Sequence, residues 1–157
     1  MKKTLITSLV LAIVLLAQAP TIFGQGAAKT GPDPSLVRDS LLEEDSLHNL
    51  SVARHYFKLK KAYVAAIKRC EEIDAGNPTF SKMDEVLFIA GESSLRLAEN
   101  KGKQKAPKDK TPEELQQDAR VYLTRLVTGY PNSAFFKQAQ TDLAALGGPV
   151  KLEDTRE

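Results

Sequence analysis

The stretch Ala66-Ile-Lys-Arg-Cys-Glu-Glu-Ile-Asp-Ala-Gly-Asn-Pro78 returns later in the chain as Ala119-Arg-Val-Tyr-Leu-Thr-Arg-Leu-Val-Thr-Gly-Tyr-Pro131. Ala66, Cys70 and Ile73 match Ala119, Leu123 and Leu126, and a proline closes both segments. Beyond the prolines, Val86 and Gly91 match Ala139 and Ala144 at the same spacing. A small residue with apolar residues at helical intervals defines one helix face, and proline, lacking an N–H, ends the helix. The pattern describes the second helix of a helical hairpin and its exit into the next one. Such hairpins cannot bury their apolar faces alone, so they stack and leave a concave surface that binds other proteins. The chain is therefore predicted to be all-α, a short solenoid of stacked antiparallel helical hairpins with about five helices.

Lys2 and Lys3 precede the apolar run Leu9 to Ala17, and Gly24 supplies a small residue beyond it. That order of charged, apolar and cleavage regions predicts a secretory signal peptide over residues 1–24. The run is shorter than the roughly 20 apolar residues of a membrane span, and Gln18 and Pro20 break its continuation. The mature chain is expected to start at Gln25 or Gly26. Loss of the two leader lysines leaves 20 basic against 20 acidic residues, so the sequence pI of about 8.6 gives no support for nucleic-acid binding. The lone cysteine, Cys70, cannot form an internal disulfide and aligns with Leu123 as a small core hydrophobe. No cysteine lies at the leader boundary, so the protein is expected not to be lipid-anchored.

Residues 25–33 read as a flexible tether, 34–147 as the helical domain and 148–157 as a charged tail behind the stop Gly147-Gly148-Pro149. Asp33 before Pro34 predicts a first helix, with apolar Leu36, Val37, Leu41 and Leu42, that runs on or bends near Glu44. From Leu47 an amphipathic helix carries Leu50, Ala53, Tyr56 and Phe57, and Ala62 to Ala75 carry the next, with Val64, Ile67, Cys70 and Ile73 mostly inward. Ser81, with Asp84 three residues on, is expected to cap a third helix reaching about Asn100. Thr111 before Pro112 caps the fourth, with Glu113 and Glu114 where the helix dipole favours them, and a fifth spans roughly Ser133 to Leu146.

Leu50, Ala53, Phe57, Ala66 and Pro78 lie close to the spacing of tetratricopeptide repeats, without the usual Trp and Gly. Tyr130-Pro-Asn-Ser133 and Asn77-Pro-Thr-Phe80, with His48-Asn-Leu-Ser-Val-Ala-Arg-His-Tyr56 and Ala62-Tyr-Val-Ala-Ala-Ile67, resemble the BamD-like branch of outer-membrane assembly proteins. The resemblance covers about Leu47 to Leu146. It implies a periplasmic repeat scaffold, peripheral at the outer membrane, that helps insert outer-membrane proteins. The chain departs from that family in lacking the acylated cysteine and in having only about two and a half repeats.

If the first helix of each hairpin lines the concave face, His48, Ser51, His55 and Lys58 form one stripe and Glu85, Phe88, Glu92 and Arg96 a parallel one. This candidate groove suits a charged peptide or protein partner with one apolar anchor, met by Phe88 or Tyr56. Residues 99–111 form a loop longer than a hairpin turn needs. Its Lys101, Lys103, Lys105, Lys108 and Lys110 are a candidate docking site for an anionic membrane or an acidic partner, or else a solvated connector. No aromatic residue or Arg is interleaved there for nucleic acid.

Catalysis has no constellation to support it. His48 and His55 stand two helical turns and about 10 Å apart, too far to share a metal, and Glu43, Glu44 and Asp45 point around the helix. No metal, cofactor or phosphate loop is expected. The expected function is a non-catalytic periplasmic scaffold in outer-membrane protein assembly or envelope biogenesis. An adaptor linked to peptidoglycan or cell division is the alternative, and an exported enzyme a remote third.

Overall fold

The computed structural model describes residues 34–152, and every regular element among them is helical. The expected signal peptide, the tether, the Asp33 cap and the tail beyond residue 152 lie outside the described residues. Helix α1, Pro34–Arg54, shows no break near Glu44 and passes directly into a π-helical turn, His55–Lys60. Lys61, in the left-handed region at φ 49°, then reverses the chain. Helices α2 (Tyr63–Gly76), α3 (Met83–Ala98), α4 (Pro112–Gly129) and α5 (Phe136–Ala145) follow. The protein is all-α, with five α-helices among the described residues. None of these is long and apolar enough to cross a membrane.

Local chemistry accounts for the helix ends unevenly. Thr111 accepts from the Glu114 N–H while Glu114 accepts from the Thr111 N–H, so α4 opens on a reciprocal capping box with proline at its first position. Ser81 does not cap α3, contrary to the expectation. The residue ahead of Met83 is Lys82, with no side-chain cap, and the Ser81 hydroxyl donates instead to Glu43 of α1. A neighbouring carboxylate has out-competed the local backbone for that hydroxyl.

Side-chain contacts give the helix directions. Glu71 meets Tyr122 and Asp74 meets Arg125, so α2 and α4 run the same way. Glu43 meets Ser81 and Arg54 meets Glu85 between α1 and α3. Phe88 stacks on Phe135 and Glu92 faces Asp142 between α3 and α5. Odd-numbered helices thus form one layer and even-numbered helices another.

Between the layers lies a core of Leu50, Ala53, Ala66, Cys70, Ile73, Val86, Leu87, Leu123, Leu126, Ala139 and Leu143, among others. A second cluster joins Tyr63, Leu97, Ala98 and Leu115. The α2 face that is fully buried runs through Tyr63, Ala66, Cys70 and Ile73, while Val64 and Ile67 are only half-buried against the second cluster. Helices α3 and α4 pack tightly at Gly91, where a Cβ would stand 2.8 Å from Leu123. The hydrogen side chain there is a packing requirement.

The internal repeat is visible in the backbone. Asn77 N–H bonds to Ile73 O, Phe80 N–H to Asn77 O and Met83 N–H to Phe80 O. Their counterparts Tyr130, Ser133 and Phe136 bond to Leu126, Tyr130 and Ser133 in the same order. The equivalence stops at the end of the stack, where Gly91 is buried and its counterpart Ala144 is exposed.

Candidate protein-binding face

The α1 half of the expected groove stands open. His48 and Ser51 on α1, and His55 and Lys58 in the π-helical turn that follows it, are all exposed. For His48 and Ser51 this follows from α-helix geometry, since residues three apart share a face and the opposite face, with Leu50 and Ala53, is held by the core, whereas the slower winding of the π turn takes Lys58 off that line.

The α3 half is largely built into the fold. Glu85 accepts from Arg54 Nε at 2.6 Å and from its Nη2 at 2.5 Å, a bidentate tie to α1. Phe88 stacks on Phe135, with ring centroids 4.6 Å apart and planes inclined by 18°. Arg96 Nη2 donates to Glu92 at 2.8 Å, and Glu92 is only 5% exposed. These residues cross-link the odd-numbered layer, and no described contact joins them to His48 or His55. The expected apolar anchor, Phe88, already has a partner within the chain.

Two contributors to this face carry no sequence signal of their role. Phe135 precedes α5 and becomes a stacking partner only because the repeat turn brings it back over α3. Asp142 on α5 faces Glu92, and Gln138 Nε2 donates to both of its oxygens at 3.0 and 3.2 Å. Burial beside a second carboxyl raises Asp142 to about 6, with Arg96 and Gln138 acting in the opposite direction.

Residues 99–111 do not swing free. Asn100 at φ 54° and Gly102 at φ 125° turn the chain back toward α2. At Gly102 a Cβ would fall 2.7 Å from the Tyr63 ring and 2.9 Å from Lys61 O, so only glycine fits. Lys103 N–H bonds to Lys61 O, and Gln104 Oε1 accepts from Val64 and Ala65 N–H at 3.1 and 3.4 Å. A side chain from a remote loop therefore satisfies the first-turn donors of α2. Lys101 pairs with Glu99 at 2.9 Å and Lys110 with Asp118, whereas Lys103, Lys105 and Lys108 are exposed without an ion pair among the described residues. Beneath the loop lies a cavity of about 340 Å³ floored by Val64, Ile67, Leu97 and Leu115.

Cys70 is 1% exposed, and burial, reinforced by Glu71 and Asp74, pushes its thiol up to about 12. It is a core residue, as its alignment with Leu123 predicts, and such a thiol is unreactive at neutral pH. Among the described residues no three His, Cys, Asp or Glu side chains converge to hold a metal ion. No family model, curated protein or solved structure matches the chain.

Proposed function

We propose that this protein is a non-catalytic protein-binding scaffold of the cell envelope, built as a short tetratricopeptide-like solenoid. The observation that carries the reading is the alternation of parallel helices between two layers, repeated with equivalent turn hydrogen bonds after Ile73 and after Leu126. Stacked hairpins of this kind place their function on an exposed helix layer. At the α1 end of that layer the exposed residues are His48, Ser51, His55 and Lys58. Export rests on Lys2, Lys3 and the Leu9 to Ala17 run, and a role in outer-membrane assembly on the BamD-like resemblance. The exposed Lys103, Lys105 and Lys108 favour peripheral contact with an anionic membrane as an accessory to that role.

The test is in-cell crosslinking from a photoreactive residue at Lys58. Capture of barrel-assembly components is the expected result, with a control at Gln116 on α4 giving none. Capture of cell-wall synthases would replace the assembly role with the peptidoglycan alternative. Specific turnover of a small molecule by the purified chain would overturn the scaffold reading itself.

A further inference from the structure

Two segments of this chain run without an acidic residue: 46–70, which closes α1 and opens α2, and 100–108, in the loop between α3 and α4. The fold brings their basic parts together. Lys103 N–H bonds to Lys61 O at 3.1 Å, Gly102 lies against the Tyr63 ring, and Gln104 holds the first turn of α2. Lys60 and Lys61 at the chain reversal therefore stand on the same edge of the stack as Lys103 and Lys105. All four are exposed, and none has an ion pair among the described residues.

This edge is basic in a chain whose charges nearly cancel, 22 basic against 20 acidic residues. Of the nearby acids, Glu99 is taken by Lys101 and Glu114 by the Thr111 N–H, while Asp109 and Glu113 lie further along, toward α4. Leu59, one residue before Lys60, is 69% exposed. An exposed leucine beside lysines suits a membrane interface, where the apolar side chain leaves water and the ammonium groups meet anionic headgroups. An acidic protein is a poorer match. Paired recognition of carboxylates favours the planar fork of arginine, and neither 55–61 nor 100–108 contains one.

We infer that Lys60 and Lys61 with Lys103 and Lys105 form one composite surface that seats the protein on an anionic phospholipid membrane, with Leu59 entering the headgroup layer. The inference rests on the accessory membrane contact read from the loop and deepens it, since the reversal after α1 becomes part of the site. The surface requires none of His48, Ser51, His55 or Lys58, so the protein-binding face stays free.

The experiment is co-sedimentation of the chain as purified from the cell with vesicles of phosphatidylethanolamine, with and without about 30% phosphatidylglycerol. Binding is expected only with phosphatidylglycerol, and about 0.5 M sodium chloride should remove most of it. Lys60→Gln with Lys61→Asn should weaken binding at least about 10-fold, asparagine being chosen because it accepts the left-handed backbone at position 61. Lys103→Gln with Lys105→Gln should weaken it by a similar factor. Lys82→Gln with Lys137→Gln removes the same charge from the opposite edge, at the starts of α3 and α5, and should cost less than about twofold. Leu59→Ser should weaken binding about threefold without altering its salt dependence. All these side chains are exposed, so circular dichroism should show each variant folded.

Failure to bind the anionic vesicles overturns the proposal together with the accessory contact. Loss with the loop pair alone overturns the composite surface and leaves the loop contact standing. Equal loss with the Lys82 and Lys137 pair would mean that only net charge matters, and it overturns the proposal as well. So does indifference to Leu59→Ser, which removes the inserted side chain. Displacement by inorganic phosphate beyond that by chloride at equal ionic strength would make this a phosphate site, and capture of an acidic protein without lipid binding would assign it to that protein. Either result overturns the membrane. Crosslinking from position 58 reads the scaffold function separately from all of these.

Discussion

The two ends of the helix stack are finished in different ways. After α5 the chain turns through Gly147 and Gly148, at φ 91° and 92°, and returns along α4. Gly148 O accepts from Arg120 Nε and the Val150 N–H donates to Thr124 Oγ1, both at 3.1 Å, which leaves Thr124 only 3% exposed. The outward side of α5 is polar, with Lys137, Gln138, Gln140 and Thr141 exposed. Helix α1 has no comparable return among the described residues. Its ties to the rest, Glu43 to Ser81, Ser46 to Asn77 and Arg54 to Glu85, all lie on the inward side. Terminal repeats need a polar outer surface to end a stack. The α5 end meets that requirement with a strap and polar side chains, and the α1 end leaves leucines outward.

The largest effects should come from the inward anchors that the two ends share. Leu50→Ala at α1 and Leu143→Ala at α5 should each cost about 3 kcal/mol of unfolding free energy, through lost transfer energy and a residual cavity. Urea titration measures both. A cost under about 1 kcal/mol for Leu50→Ala would mean that α1 is held by its polar ties alone.

Next in size is the strap. Truncation after Leu146 removes the two strap hydrogen bonds to α4, each worth about 1 kcal/mol, together with the Gly147 and Gly148 N–H bonds that close α5, and should lower the melting temperature by roughly 8 °C or more. It should also expose the α4 edge and promote association, visible by light scattering. No change in melting would show that the α5 end is sealed by its own side chains.

A smaller effect separates the ends by pH. Asp142 lies higher in the folded chain, at about 6, than its ordinary 3.8. The folded state therefore binds the proton more tightly, and this contribution to stability is fully present below pH 3.8 and lost as pH rises to about 6. Asp142 is half-buried and partly screened, so the loss should be under about 1 kcal/mol. Melting curves from pH 4.5 to 7 should fall in the unaltered chain relative to Asp142→Asn. Parallel curves would show that the Glu92 contact is open in solution.

The smallest effect belongs to the open end. Leu59→Ser should change monomer stability by less than about 0.5 kcal/mol, measured by thermal unfolding at low concentration, because the residue is mostly solvent-exposed already. A large loss would mean that Leu59 is covered within the monomer, and that the two ends are more alike than they look.

Much of this architecture is legible along the chain. Ala66, Cys70, Ile73 and their counterparts mark buried faces because an apolar residue every three or four positions has only one way to leave water in a helix. Thr111 and Pro112 mark the start of α4 because their effects on the backbone are local. Ser81 misleads for the complementary reason. Its hydroxyl had a choice between its own helix and Glu43, and that choice depends on where α1 lies. Gln104 and Gly102 likewise acquire their roles from Tyr63 and the open start of α2, remote in sequence.

The candidate face divides along the same line. Helical spacing is sufficient to set His48 and Ser51 together on one side of α1, while His55 and Lys58 fall in the π turn, whose different winding that spacing does not foretell. It also groups Glu85, Phe88, Glu92 and Arg96. Whether such a stripe is open or engaged depends on its neighbours. Arg54, Phe135 and Asp142 come from other helices and turns and carry no periodic relation to the α3 stripe. By itself the sequence determined the helices, their repeat and their buried faces, because those follow from short-range periodicity and backbone chemistry. Only the tertiary structure decided that the α3 stripe is engaged, that the basic loop is docked and that one end of the stack is open. Those properties depend on the juxtaposition of segments that have no regular spacing in the chain.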